Sequence, residues 1–538
     1  MSLSNMTWGI GAETHDVLQN RRVYWLAFIV YWGILLFGYD TGIAGGVVQS
    51  QYFQIKFGVR PAEGPANKSR IDNVSANVVS VLQGGAFFGA LSSAPVSAWL
   101  GRRKTLFAYS LIFVVGAVLQ TIAGGDGNRG LGYIYGGRVV SGFGIGAISA
   151  VAPAYVSECS PKQVRGRITG MFQIMVATGV MISYFVNFGI GLHIHNSSKI
   201  WRIPFGFQLV PAGIMAVGLL TVRESPRWLA SKGRHAEAHM NLAYLRRRQP
   251  DSEEVLHELA EIEAALAEER DARASLGLRE AFFERGNSLR FLIAFFIFFL
   301  QQWCGQNSVG YYAPQIFTSI GYTGATQSLL ASGVYGIVKV VATTVFIFFF
   351  ADSWGRKPSL FVSAIGMGSL FFIVGAILKT HPISSTPQPN PPASGKAMAA
   401  MLYIYVCFYS MGWGPLPWVY VSDIFPTRTR HYGLAVASSS QWLWNFVLAK
   451  VTPTLLTRLG YKMFLVFGTL NIAALAPFSL IIPETKGRSL EEMDIIFGAV
   501  SAEDRAENIA RQEQGFSDGR IDTRFEGSGS FDNKNVRT

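Results

Sequence analysis

The chain has 538 residues, 50% of them hydrophobic and only 15% charged, with a mean hydropathy of +0.27; a soluble domain carries about 25% charged residues. That balance excludes an ordinary water-soluble globular protein and points to a polytopic membrane protein. The formal net charge of +12 would suit a nucleic-acid partner, but most Lys and Arg stand in short clusters just after apolar runs, where they act as topology signals, so no nucleic acid is expected.

About twenty apolar residues cross a bilayer core of roughly 30 Å. Twelve runs meet that test, at about 23–43, 77–98, 105–124, 132–154, 167–190, 203–222, 289–310, 325–350, 358–378, 397–421, 431–455 and 461–482. The first begins near Val23 and is too long for the apolar part of a secretory signal. The fold class expected is therefore an all-α membrane protein of twelve transmembrane helices. Cys159, Cys304 and Cys407 lie in or beside these runs without framework spacing, so no disulfides are expected.

Basic clusters at Arg21–Arg22, Arg102–Lys104, Lys162–Arg167, Arg356–Lys357 and Arg428–Arg430 fall on alternate loops, which places both termini in the cytoplasm. The sequons Asn67-Lys-Ser, Asn73-Val-Ser and Asn196-Ser-Ser all fall on the opposite side, as does the loop near 386–395. The organisation read from this is a cytoplasmic N-terminus (1–22), a first six-helix half (23–222), a cytoplasmic helical linker (223–288), a second six-helix half (289–482) and a polar cytoplasmic tail (483–538), largely disordered. Within the linker Val255, Leu256, Leu259, Ile262 and Leu266 recur at helical spacing with acids between them.

The two halves echo one another. GRRK at Gly101 returns as GRK at Gly355, ECSPKQVRGRITG at Glu158 as DIFPTRTRHYG at Asp423, and RESPRW with Glu224 as PETKGR with Glu484, at offsets of 254, 265 and 260 residues. Three matched signals at a nearly constant offset indicate duplication. Six-span halves related by an axis along the membrane normal are the architecture of rocker-type secondary transporters, with the substrate site near the midplane between them.

GYDTG, GR-x₃-GxGxG from Gly137 to Gly146, PxYxSExSPxxxRG from Pro153 to Gly166, DSWGRK, QQWCGQN, QWLWN and PETKGRSLEEMD stand in order between about 23 and 495. Together they resemble the sugar porter family of the major facilitator superfamily, in a form similar to fungal quinate and sugar permeases. The resemblance implies a plasma-membrane transporter whose partners are a small-molecule substrate, a proton and the lipid bilayer, and which works as a monomer. It implies no enzyme and no cofactor. The residues agree, with no metal-ligand spacing, nucleotide loop or nucleophile constellation, and with His193 and His195 in an expected outer loop.

Asp40 is the only charge between Arg22 and Lys56. A mid-helix Asp costs about 2.5–3.5 kcal/mol on insertion scales and survives with a partner, a cavity or a proton. The run GGRVVSGFGIG offers Arg138, and Gly136, Gly137, Gly142, Gly144 and Gly146 permit close helix approach. Asp40 could instead cap a broken helix, and Arg138 could sit at the membrane edge. The resemblance implies an Asp–Arg pair as in proton-coupled porters, with protonation of Asp40 releasing Arg138. A facilitative uniporter and a nutrient sensor on a transporter fold are the rival readings.

At the cytoplasmic ends, Glu158 and Arg165 in one half, and Asp352, Arg356, Asp423 and Arg428 in the other, hold opposite charges at equivalent places. The resemblance implies a gate that bridges the halves; without it the bases are topology determinants and the acids their solvated neighbours. Ala98 and Trp99 stand where the family usually has an acid before GRR, which weakens the first lock.

Polar side chains inside apolar spans mark a pathway: Gln173, Gln301, Gln302, Asn307, Gln441 and Asn445. Amides donate and accept, which suits hydroxyl-rich ligands. A helix broken near Gly305 would bring Gln301, Gln302 and Asn307 together. Phe37, Tyr311, Trp418 and Trp442 could stack on a sugar ring or close the cavity. Two residues depart from a neutral-hexose pattern. Gln306 is polar where the family is usually apolar. Lys339 stands thirteen residues before Asp352, about 20 Å above the helix end, too deep to snorkel easily. A lysine there would attract a carboxylate, as of quinate or galacturonate; it could also pair with an acid not identified, or be neutral. The expected substrate is a cyclic polyhydroxy acid, with a neutral hexose, pentose or polyol as the alternative.

Overall fold

The computed structural model describes residues 20–61, 63, 67–124, 128–274, 285–350, 355–383, 390–425, 429–486, 493 and 496–497. Every regular element among them is helical. In chain order the first long ones are α1 (Arg21–Gln49), followed by a six-residue helix at Gln51–Lys56, then α2 (Lys68–Leu100), α3 (Arg102–Ile122), α4 (Asn128–Cys159), α5 (Lys162–His193) and α6 (Lys199–Gly218). Three helices outside the apolar spans follow, α7 (Pro226–Ser231), α8 (His235–Arg246) and α9 (Glu253–Ala274). Then come α10 (Arg285–Trp303), α11 (Gln306–Tyr311), α12 (Ala313–Ser319), α13 (Ala325–Val345), α14 (Arg356–Thr380), α15 (Ala393–Met411), α16 (Leu416–Ile424), α17 (Arg430–Leu459) and α18 (Tyr461–Ile481).

Ten stretches of helix among the described residues are long and apolar enough to cross a membrane. The expected count was twelve. The two runs outside the ten are α10 and α17. The first ends at Trp303, ahead of a break in the helix at Gly305, and the second carries Ser438, Ser439, Ser440, Gln441, Asn445, Lys450 and Thr452 along its length. Leu26, Ile34, Leu36, Phe113, Ile148 and Met215 lie in one buried cluster of the α1–α6 group, and Phe298, Phe371, Met398, Tyr405 and Phe464 in another of the α10–α18 group. Large apolar side chains such as Phe88, Trp99, Val217, Phe348 and Ile481 point outward, as lipid-facing positions do.

Small residues set the closest crossings. A Cβ at Gly142 or Gly146 of α4 would lie 2.1 Å from the carbonyl oxygens of Leu82 and Ala86 on α2, and one at Gly85 of α2 would lie 2.3 Å from that of Val139. The backbones therefore meet directly, which is how helices associate where no water drives them together. Gly136, expected in the same role, faces open space.

Helices α7–α9 pack on the end of the bundle where α1 begins. Arg22 Nη1 donates to the Tyr244 carbonyl at 2.6 Å, and Arg246 donates to the Cys159 carbonyl at the end of α4 at 2.9 Å while forking Glu258 at 2.6–2.7 Å. Of the stripe read from the sequence, Val255 and Leu266 are buried and Leu259 and Ile262 partly so; Leu256 departs from it and is 47% exposed. The loop near 386–395 is described from 390 onward, and the tail beyond 497 lies outside the described residues.

Candidate functional site

Helix α1 runs unbroken from Arg21 to Gln49 with Asp40 inside it, so Asp40 is no helix cap. It is fully buried, and Arg138 of α4 is 1% exposed, enclosed by protein. Arg138 Nη1 donates to Asp40 Oδ1 at 3.0 Å. The same oxygen accepts from Gln208 Nε2 at 3.1 Å. Asp40 Oδ2, Arg138 Nε and Gln208 Oε1 are buried without a hydrogen-bond partner. A buried carboxylate with one satisfied and one bare oxygen, facing a guanidinium with a spare N–H, has room for a proton and for a rearranged pairing. Sequence reasoning missed Gln208. The signal was there, since it is the lone amide in the apolar run 203–222. It stands at the turn that divides α6.

A second polar centre joins α10, α11 and α17. Gly305, at φ +94°, separates Trp303 from Gln306, a conformation glycine adopts without strain. That turn folds Asn307 back so that its Nδ2 donates to Gln302 Oε1. The same amide reaches Asn445 Oδ1 at 3.3 Å, and the Tyr311 hydroxyl donates to that oxygen at 2.9 Å. These bonds leave Gln302 Nε2, Asn307 Oδ1 and Asn445 Nδ2 with no partner among the described hydrogen bonds, two donors and one acceptor on facing helices. Phe37 of α1 meets Trp442 of α17 edge-on at 5.4 Å.

Other expected residues stand apart. Gln301 donates to the carbonyls of Trp413 and Gly414 at 2.7 and 3.2 Å, so it ties α10 to the chain before α16. Trp418 meets Phe298 at 4.5 Å between ring centroids, tilted by 59°, and packs partly buried against the apolar cluster of its own helix group. Gln441 has a buried, unpartnered Oε1, and Gln173 is half-buried on α5; neither bonds to the Gln302–Asn307–Asn445 cluster.

Lys339 of α13 is 8% exposed. Among the described residues it has no carboxylate within 4.0 Å. Its ammonium lies 6.0 Å from the Tyr409 ring centroid, at the edge of cation–π range. One turn earlier on the same face, Tyr335 donates to Gln306 Oε1 at 2.9 Å. That bond turns the amide so that Gln306 Nε2 is buried with no partner. Sequence reading singled out Gln306 and Lys339 separately but had no means of finding Tyr335, which links them.

At the linker end, the pairs among the described residues include one within each helix group. Arg102 forks Glu158 at 2.9–3.2 Å, and Ser225 donates to the same carboxylate at 2.5 Å. Arg356 lies 3.5 Å from Asp423, and Thr485 donates to that carboxylate at 3.0 Å. Glu224 accepts from the first N–H groups of α3, Glu484 from those of α14. The duplicated sequence signals are thus a duplicated latch: an acid capping a helix start, and an Arg–acid–hydroxyl triad beside it. Asp352 and Arg428 lie outside the described residues, as does the side chain of Arg165.

Hydrogen bonds that join the α1–α6 group to the α10–α18 group are found at the far end from the linker. Gln49 donates to Thr318 at 3.1 Å, Gln315 to the Gly45 carbonyl at 3.4 Å, Tyr184 to the Gly310 carbonyl at 2.5 Å, and Lys450 to Asn77. Among the described residues no cluster of His, Cys, Asp and Glu is able to hold a metal ion.

The profile of the family described as Sugar (and other) transporter matches residues 26–497. A protein described as "Probable quinate permease" from Neosartorya fischeri is 36% identical over 488 residues, covering 90% of this chain and 89% of its own. The partially occluded inward-open conformation of the xylose transporter XylE from E. coli matches 87% of this chain and 100% of its own, with a TM-score of 0.71 and 25% identity. The proton:xylose symporter XylE bound to 6-bromo-6-deoxy-D-glucose matches 89% and 99%, with a TM-score of 0.71 and 26% identity.

Proposed function

The chain belongs to the sugar porters of the major facilitator superfamily, and on that premise we propose that it is a proton-coupled symporter of a cyclic polyhydroxy acid. The observation that carries the coupling is the buried pair of Asp40 and Arg138, held at 3.0 Å with one carboxylate oxygen bare. Protonation of Asp40 from the outside weakens its hold on Arg138 and permits closure around substrate. Release of the proton on the inner side restores the pair.

The substrate's hydroxyls are read by Gln302, Asn307 and Asn445, whose free donors and acceptor match a polyol, with Phe37, Tyr311 and Trp442 bounding the site. Gln173 and Gln441 contribute further polar groups at its edge, and Gln301 fixes the helix that carries Gln302. Its carboxylate is met by Lys339 and the bare Nε2 of Gln306, two buried donors with no anion of the protein's own beside Lys339. A quinate-type acid fits this set, as the name of the Neosartorya fischeri relative suggests. The second reading is a neutral pentose or hexose, favoured by the amide cluster and by the xylose symporter of like fold.

The architecture we propose is twelve spans in two halves of six, α10 and α17 joining the ten apolar spans, with the linker helices and both termini cytoplasmic in the plasma membrane. With hydrogen bonds between the halves at the far end, this conformer opens toward the linker. Glu158–Arg102 and Asp423–Arg356 are the gate elements, joined by Arg165, Asp352 and Arg428.

Proton-driven uptake of labelled quinate, galacturonate, glucose and xylose into proteoliposomes tests the reading. Lys339→Met should cut acid uptake at least about tenfold more than neutral uptake, the worth of a charge-assisted hydrogen bond. Uptake of neutral sugars only, unchanged by Lys339→Met, would make the lysine structural and the substrate a neutral sugar.

A further inference from the structure

The strongest feature that the transport reading leaves unused is a basic cavity at the linker end of α1. It holds about 700 Å³ and is lined by Arg22, Arg223, Tyr244, Arg247, Arg248 and Ser252. A second cavity of about 320 Å³ adjoins it, sharing Arg22, Arg223 and Tyr244 and adding Arg21, Trp25 and Leu26. Five arginines thus face one region. Glu254 pairs with one of them, 3.1 Å from Arg248.

Tyr244 organises the charge. The guanidinium carbon of Arg22 lies 3.9 Å from its ring centroid and that of Arg223 4.0 Å. Two such groups stacked that close to one ring must take opposite faces, since on one face they would overlap. Arg22 is further fixed by its 2.6 Å bond to the Tyr244 carbonyl, and Arg223 by Asn241 at 3.4 Å. Each guanidinium spends only part of its five N–H donors on these contacts. The result is a pair of pre-oriented forks, the geometry that suits phosphate oxygens.

We propose that this cavity binds the phosphorylated headgroup of an anionic phospholipid. A free phosphate offers the same oxygens, but the site has a second wall that a free ion does not use. From the arginines the adjoining cavity runs on to Trp25, Leu26, Val222 and Leu245. Trp25 is 49% exposed on the first turns of a membrane-crossing helix, and its indole N–H donates to Thr221 at 3.1 Å. A tryptophan there marks the headgroup level. The site thus passes from an anion-binding end to an apolar end over one turn of α1, in the order headgroup then acyl chain. Cytoplasmic-leaflet lipids supply such anions. The lipid would pin α1, which carries Asp40, against α8. The site itself stands apart from the transport reading and fails or holds independently of it.

The test uses the full-length chain in neutral detergent, with binding read by native mass spectrometry and melting temperature. The probes are dioctanoyl phosphatidylinositol 4-phosphate, dioctanoyl phosphatidylcholine and inorganic phosphate. Expected is saturable binding of the phosphoinositide, little binding of phosphatidylcholine, and a loss of about thirtyfold in affinity in Arg22→Gln/Arg223→Gln. Tyr244→Phe keeps the ring and should keep binding. Arg223 is exposed, so Arg223→Gln alone, with a loss of about fivefold, serves if the double variant does not fold. Equal binding of the two lipids, or affinity unchanged in both arginine variants, overturns the site. Inorganic phosphate binding as tightly as the phosphoinositide overturns the lipid and leaves a soluble-anion site.

Discussion

Replacing Asp40 with Asn isolates the charge from the shape. An amide keeps an acceptor at Oδ1, so the bonds from Arg138 at 3.0 Å and Gln208 at 3.1 Å persist. What is lost is the negative charge, between partners at most 1% exposed. Removing one member of a buried pair costs about 3–5 kcal/mol; with both hydrogen bonds retained, the lower end applies, and the variant should melt measurably lower in detergent. Transport gives the sharper reading. A carboxylate that moves with one proton carries no net charge, so a membrane potential does no work on it and the pH gradient is the whole driving force. One pH unit is about 1.4 kcal/mol, so a lumen two units more alkaline sustains about 100-fold accumulation of the acid. Asp40→Asn should bring that ratio near one while leaving counterflow exchange of labelled for unlabelled substrate. The assay is uptake into proteoliposomes with the pH gradient and the potential imposed separately. Accumulation by Asp40→Asn at the wild-type ratio would remove the coupling role. Accumulation of the acid that follows the potential and ignores the pH gradient would refute one-to-one symport.

Three other outcomes follow from the geometry. Burial pushes the Glu484 carboxyl up, but N–H bonds from Lys486, Lys357, Arg356 and Thr485 outweigh it and hold the group below its ordinary 4.5. A depressed folded-state value stabilises above the unfolded value and is lost as pH falls through the folded one, so Glu484→Gln should melt lower than wild type at neutral pH and match it in acid; a gap constant with pH would contradict this. Gly142→Ala should lose about 1–3 kcal/mol or fail to fold, because its Cβ would stand 2.1 Å from the Leu82 carbonyl, whereas Gly136→Ala, with nothing within 4 Å, should express and melt normally. Asn445→Ala strips the acceptor from both Tyr311 and Asn307 and, at about 1–3 kcal/mol, should raise substrate Kd by about 5- to 150-fold at normal expression.

What the sequence shows directly is what depends on composition along one helix. Apolar runs, basic clusters and the break at Gly305 are local, and each is legible because a bilayer punishes unpaired backbone and charge. Runs that line a polar interior are the exception. Helix α17 is needed for its Asn445, Ser440 and Thr452, which bond to Tyr311, the Phe295 carbonyl and Ser308, and the same side chains lower its hydropathy. Asp40 and Arg138 could be singled out by their cost, but Gln208 could not be assigned to them, because 168 residues separate it from Asp40. The cytoplasmic charges show the converse limit. Their repeat was legible, but whether Glu158 reaches across the halves or back to Arg102 is a matter of helix placement that spacing does not encode. Gln306 and Lys339 likewise stood out one by one, and the Tyr335 bond ties Gln306 to the helix that carries Lys339 one turn on.

Among the described residues, the Arg102–Glu158 and Arg356–Asp423 pairs each lie inside one helix group, so breaking these two does not by itself part the halves. Among the described residues, the bonds that must give way for the opposite opening are those of Gln49, Gln315, Tyr184 and Lys450 at the far end. At about 1 kcal/mol each, these four set a scale of about 4 kcal/mol, which differential binding of substrate and proton has to offset. Both proposed ligands act on that contact from close by. Asp40 lies five residues before Gly45, about 7.5 Å along α1, and Gly45 packs so tightly on α11 that a Cβ there would stand 2.0 Å from the Tyr311 carbonyl. Tyr311, in turn, bonds to Asn445 in the polyol cluster, and its neighbour Gly310 accepts the Tyr184 bond. The proton therefore acts on α1 and the substrate on α11, the two faces of one contact. Coupling between them needs no relay through the bundle, only that α1 and α11 move as the rigid helices that they are.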